Sequence, residues 1–157
     1  MCGSYLSGID KIIEILSIYK PGPEFIPQFG IDIIPRYIKL PTGLNAIINF
    51  WYLKEFYDDS PIIETFFRGT SGAVFVFNHL DYESFKSLNL WFNFFRKFNE
   101  ESSFLLIGIN YRSEFKKITI EEAQNWAESK NGFYIGLEKI SIQLIEDSIF
   151  KLLKEKI

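Results

Sequence analysis

Two glycines five residues apart, Gly3 and Gly8 in the stretch GSYLSGID (residues 3 to 10), have the spacing of a phosphate-binding loop, G-x-x-x-x-G-K-[ST]. In such a loop the lysine neutralises phosphate oxygens and the next hydroxyl binds Mg²⁺. Here those two positions hold Ile9 and Asp10. The octapeptide alone fits a loop that once held a nucleotide, and it fits equally the two glycines of a frayed terminus. Other chemistry is scarce. His79 is the only histidine and Cys2 the only cysteine, so no Cys/His cluster with metal-ligand spacing and no intrachain disulfide is expected. His79 has no Cys, Asp or Ser arrangement around it and reads as a structural side chain at a strand end.

The elements that would position these residues follow from periodicity. At 157 residues the chain suits a single domain, residues 1 to 157, with one core. Residues 9 to 18 repeat apolar side chains at helical spacing, and KPGPEFIP then breaks the helix. Two β-like runs follow, 31 to 40 and 45 to 53, joined through PTG as a hairpin; Pro35 suits an edge strand because it cannot donate to a ladder. From residue 71 the pattern alternates: strand 71 to 78, helix 82 to 99, strand 103 to 109, helix 119 to 130, strand 132 to 136, helix 141 to 155. Such alternation implies crossovers and a mostly parallel sheet. Thr119 and Glu122 form a capping box at the head of the penultimate helix.

Charge excludes one class of partner. The net charge of −3 lacks any basic block, so nucleic acid is not an expected partner. No apolar run reaches membrane-spanning length and no lipidatable cysteine ends the chain, so no intrinsic membrane anchor is expected; the single cysteine suits a cytoplasmic setting.

Residues 66 to 85, FFRGTSGAVFVFNHLDYESF, resemble the segment YYRGAHGAILVYDITDRESF of Ras-superfamily small GTPases, closest to the Rab branch. The similarity continues through SLNLWFNFFRKF and through TIEEAQNWAESKNGFYIGLEK. Upstream spacings fall into register, from Asp10 to Gln28 and from Trp51 to Arg68-Gly69, with one extra residue near the hairpin turn. The resemblance implies an α/β fold, a doubly wound, mostly parallel sheet with helices on both faces, and makes the opening octapeptide a decayed phosphate loop. It also implies that five of six family strands are present. Only Met1 and Cys2 precede Gly3 where the family has its central strand, so a gap is expected beside strands 45–52 and 72–78; either the true start lies upstream, which is the favoured reading because no other stretch is a spare strand, or another segment covers the gap.

By the same register nearly every nucleotide-handling position is replaced. Ile9 stands for the loop lysine, Asp10 for the Mg²⁺-binding hydroxyl and Gln28 for the switch I Thr. For W-D-T-A-G-Q the chain reads Trp51, Tyr52, Leu53, Lys54, Glu55, Phe56. Tyr52 thus replaces the metal-associated Asp, Glu55 the Gly whose N–H meets the γ-phosphate, and Phe56 the Gln that orients water. The guanine-reading N-K-x-D falls on Asn110 to Ser113, keeping Asn110 and losing the final carboxylate. S-A-K falls on Leu137, Glu138 and Lys139, keeping Lys139. The resemblance therefore implies a family member that has lost GTP hydrolysis and stable nucleotide binding, needs no cofactor or metal, has no catalytic residue and acts as a protein-interaction module. The alternative is a divergent GTP-binding switch in which Asp10, Asn110 and Lys139 form an altered site for GTP or GDP with Mg²⁺.

An interaction module needs a surface. Leu90 and Phe94, four apart on helix 84 to 99, fall where related GTPases show Lys and Glu, and form a candidate outward stripe for a protein partner or a second copy. Leu53, Phe56, Tyr57, Ile62 and Ile63 of the replaced switch II offer a second apolar surface.

Overall fold

A computed structural model describes residues 1–17, 31–39, 43, 45–53 and 61–153. Its elements are α1 (Ile9–Ser17), β1 (Ile31–Lys39), β2 (Asn45–Leu53), α2 (Pro61–Arg68), β3 (Ala73–Asn78), α3 (Tyr82–Lys86), α4 (Leu88–Phe98), β4 (Phe104–Ile109), α5 (Ile120–Glu128), β5 (Gly132–Leu137) and α6 (Ile142–Leu153). β1 and β2 pair antiparallel, with Pro35 opposite Asn49, while β3, β4 and β5 run parallel. This is the expected α/β architecture, with the hairpin at one side and the crossover strands at the other.

The expected gap is bridged at one end. Cys2 stands between the two halves and makes parallel bridges to Leu53 of β2 and to Phe75 of β3. Its N–H donates to the Val74 carbonyl at 2.8 Å, and Val76 donates back to the Cys2 carbonyl at 3.0 Å. On the other side Leu53 donates to the Met1 carbonyl at 3.3 Å, and the Met1 amino group donates to the Trp51 carbonyl at 2.5 Å. Two residues are too short to show a period, so the sequence gives no strand signal there.

Alternation along β3 and β4 divides the core between two faces. Val74, Val76, Leu105, Ile107 and Ile109 face α1 and α6, where Ile9, Ile12, Leu16, Ile145 and Ile149 are buried. Phe75, Phe77, Phe104 and Leu106 face α2 to α5, where Phe67, Leu88, Trp91 and Phe95 are buried. Phe75 lies edge-on to Phe95 at 5.9 Å and to Phe104 at 5.3 Å, so much of the chain's aromatic excess fills this face.

Local chemistry sets the ends of the helices. The Thr119 hydroxyl accepts the Glu122 N–H at 3.0 Å while Glu122 Oε2 accepts the Thr119 N–H at 2.7 Å. These bonds hold the Glu122 carboxyl below its usual pKa. The single helix expected over 82 to 99 is divided at Ser87 into α3 and α4. Asp81 caps α3 by accepting the Ser84 N–H at 2.7 Å. Beyond α4, Arg96 donates to the carbonyls of Asn99, Glu100, Ser102 and Lys130, fastening the loop before β4 to the end of α5. α2 was not expected as a helix: its PIIETFFR pattern is short and flanked by polar residues.

Candidate functional site

Residues 3 to 8 form a tight turn. Ser7 donates its N–H to the Ser4 carbonyl at 2.9 Å, and Gly8 closes the turn with φ of 77°, a left-handed conformation that favours glycine. α1 then begins at Ile9. The Ser7 side chain is fully buried, and its Oγ accepts the Ile9 N–H at 3.2 Å. One of the helix's first N–H groups, which in a phosphate loop is turned to the ligand, is thus occupied by the chain itself.

Packing accounts for both glycines. A Cβ on Gly3 would lie 2.7 Å from Ser7 Oγ and 2.8 Å from the Val76 carbonyl oxygen, and one on Gly8 would lie 2.1 Å from Ile109 Cδ1. Ile9 is fully buried in the core with Ile12, Val76 and Ile109. It therefore supplies neither charge nor reach toward a ligand at the loop.

Asp10 is exposed on α1, and Tyr52 reaches it from β2. The Tyr52 hydroxyl donates to Asp10 Oδ1 at 2.6 Å across 42 residues of sequence. The two replaced positions that would flank Mg²⁺ by the family register thus satisfy each other. A carboxylate and a phosphate charge 4 Å apart repel by roughly 4 kcal/mol at an effective dielectric of 20, and Ile9 supplies no opposing charge. These residues do not fit a magnesium nucleotide. Gln28, Glu55, Phe56 and Tyr57 lie outside the described residues.

At the far end of the sheet Asn110 is left-handed, with φ of 59°. Its N–H donates to the Leu137 carbonyl at 3.0 Å and its side-chain amide to Asn78 Oδ1 at 3.0 Å, tying together the ends of β3, β4 and β5. Ser113 Oγ accepts the Phe115 N–H at 3.2 Å within the following loop. Glu138 accepts the Arg112 N–H at 3.2 Å, and Lys139 is exposed beside it. The residues kept at this end thus have structural partners or lie open to water.

His79 is fully buried after β3. Its Nδ1 lies 2.6 Å from the Ile118 carbonyl, which can only accept, so Nδ1 carries the proton and Nε2 accepts from the Tyr134 hydroxyl at 2.8 Å. Burial lowers the imidazole pKa, opposed by the bond to Ile118 and aided by Lys116. The Tyr134 phenol is pushed up to about 12, mainly by burial.

The candidate surfaces are rearranged. Leu90 is exposed, but Phe94 is half-buried, edge-on to Phe67 of α2 at 5.1 Å and to Phe98 at 5.4 Å. The expected outward stripe is therefore reduced to Leu90. Leu53 is buried beside Cys2 and Phe75 and is unavailable as a surface, while Ile62 stands in α2. Among the described residues the most exposed large apolar side chain is Phe115, at 86%, in a loop whose sequence has no periodicity to mark it. Leu90→Lys should change stability by no more than about 0.5 kcal/mol. Phe94→Lys should cost about 1–3 kcal/mol through lost packing on α2. Urea midpoints of the two variants check this, and equal midpoints would place Phe94 outside the core.

The Ras family profile matches residues 55–156, a stretch that excludes the opening loop. Among characterised relatives, the Ras-related protein RabC of Dictyostelium discoideum is 24% identical over 109 residues, covering 67% of this chain and 55% of that protein. The Ras-related protein SEC4 of Saccharomyces cerevisiae is 23% identical over 157 residues, covering 96% of this chain and 73% of that protein. The Ras-related protein RabP of Dictyostelium discoideum is 33% identical over 96 residues, covering 56% of this chain and 41% of that protein. The chain thus spans about half the length of two of these three relatives.

Proposed function

The chain belongs to the Ras family, and from that premise we propose that it is a Rab-like member that neither stably binds nor hydrolyses guanine nucleotide and works in the cytoplasm as a protein-interaction module. The observation that carries this reading is the Tyr52 hydroxyl bonded to Asp10, which occupies the Mg²⁺ side of the site with the chain's own groups. Ser7 on the Ile9 N–H and the burial of Ile9 support it from the phosphate side. Such a domain needs neither cofactor nor metal, and its partners are another protein or a second copy of itself. Among the described residues no helix is long and apolar enough to cross a membrane.

A second reading, a divergent nucleotide switch, draws on Asn110 and Lys139, both kept at the base-reading end of the sheet. The two separate in one experiment. Protein purified without added nucleotide is denatured and its supernatant chromatographed, and native protein is titrated with a fluorescent GTP analogue in Mg²⁺. The expected result is no released guanine nucleotide and no saturable signal in the micromolar range. Stoichiometric GDP in the supernatant, or saturable micromolar binding, would replace the proposal with the switch.

A further inference from the structure

α5 hands the chain to β5 through Asn131 and Gly132, and the structure restricts the residue type at both. Asn131 is left-handed, with φ of 61°, a conformation open to glycine and asparagine and costly for most other side chains. Its N–H donates to the Glu128 carbonyl at 3.2 Å and closes the turn that ends the helix. Gly132 is buried beneath the Phe104 ring, and a Cβ there would run into the ring atoms. Turn and packing together thus set asparagine directly before glycine, the one such pair in the sequence.

We propose that Asn131 is a site of spontaneous covalent modification, where the chain cyclises to a succinimide and reopens as isoaspartate or aspartate. The Gly132 backbone nitrogen gives its proton to water or hydroxide and attacks Asn131 Cγ; a C–N bond closes the imide ring, and the side-chain nitrogen leaves as ammonia. Water then adds to either imide carbonyl and breaks one of its C–N bonds. The sum consumes one water and releases one ammonia. Glycine has no Cβ to hinder the approach of its nitrogen. Asn131 is exposed, and the one hydrogen bond of its side chain among the described residues is a donation to the Glu101 carbonyl at 3.5 Å, the long limit for such a bond. Asn99 and Asn110 differ on both counts: their amides donate at 2.8 Å to the Phe67 carbonyl and at 3.0 Å to Asn78 Oδ1, and they precede Glu100 and Tyr111. Isoaspartate routes the main chain through its own side chain, inserting one carbon just before β5. Gly132 has no room to shift beneath Phe104, so the strain falls on its pairing with Phe104 of β4. Each conversion also adds one negative charge to the net −3.

The test incubates the 157-residue chain at 37 °C and mildly alkaline pH, beside a synthetic peptide of residues 127 to 136, and digests samples with pepsin in acid, where cyclisation is arrested. The expected result is a more acidic form that accumulates faster as pH rises. The fragment containing Asn131 should gain about 1 Da and separate into two products of equal mass, isoaspartate and aspartate. Asn131→Gly keeps a residue suited to the left-handed turn and should remove the acidic form. Mapping of the parent stands even if that variant misfolds. No acidic form in the time the peptide takes to convert by half would show that the fold protects the pair, and overturns the proposal. Conversion at a different asparagine does the same, as does aspartate as the sole product, which would mean direct hydrolysis without the imide.

Discussion

Phe75→Ala should lower the melting temperature by about 6–20 °C, among the largest effects expected of a single side-chain truncation among the described residues. Phe75 is fully buried on β3, between Cys2 on one side and β4 on the other. Its ring meets those of Phe92, Phe95 and Phe104 at 5.3–6.4 Å. Removing a buried Phe costs about 3–5 kcal/mol through lost transfer energy and the cavity left behind. In a domain of this size each kcal/mol moves the midpoint by about 2–4 °C. Since domains are typically stable by about 5–15 kcal/mol, the variant should sit near its unfolding threshold at 37 °C. Phe133→Ala on β5, where the ring is 41% exposed, is the matched control and should cost far less. Calorimetry of both variants decides the matter, and near-equal midpoints would show that the aromatic face does not hold the sheet.

Below pH 6.5 the folded protein should lose stability by up to about 1.4 kcal/mol per pH unit through one residue. His79 is held neutral by burial, with its proton on Nδ1 toward Ile118 and its Nε2 accepting from Tyr134. In the unfolded chain the same imidazole titrates near 6.5. Between that value and the lowered native one, the unfolded state binds more protons, so stability is full above about pH 6.5 and declines as pH falls. Because the chain has a single histidine, the slope belongs to His79 alone until carboxylates begin to titrate. Urea midpoints at successive pH values from neutral to mildly acidic should fall in the parent and flatten in His79→Leu, whose absolute stability will be lower. A parent slope unchanged by that substitution would mean that His79 is protonated in place. On the alkaline side the raised Tyr134 phenol acts in the same sense: above pH 10 the unfolded phenol ionises first, so stability declines there too.

The sequence made the strands of the parallel half legible because both faces of β3 and β4 are covered and their apolar runs are unbroken. The capping box was legible because Thr119 and Glu122 act over three residues. What stayed hidden depended on distant partners. Phe94 has helical spacing for an outward stripe, but α2 packs over it and turns it inward. Leu53 sits in a segment aligned with a switch, yet Cys2 pairs beside it and buries it. The register aligned Asp10 and Tyr52 with metal-associated positions, but only the fold brings the hydroxyl against the carboxylate. The break at Ser87 leaves the apolar period almost unshifted, so periodicity reads through it.

The two-residue seam at Met1 and Cys2 also bears on how the domain opens. Among the described residues the sheet's hydrogen bonds pass from the hairpin to the parallel half only there, with the Arg36–Glu146 ion pair joining β1 to α6 outside the sheet. β3, β4 and β5 are joined by local crossovers, and the hairpin adds Ile34, Phe50 and Tyr52 to the buried cluster that holds Val74, Val76 and Ile107. Cooperative units follow the density of buried apolar contacts as well as of such bonds. Opening the hairpin away from β3 would therefore uncover Ile34, Phe50 and Tyr52 as well as break those hydrogen bonds, so the amides of the hairpin and of the parallel half should exchange together. The Tyr52–Asp10 bond should then break only with that shared opening.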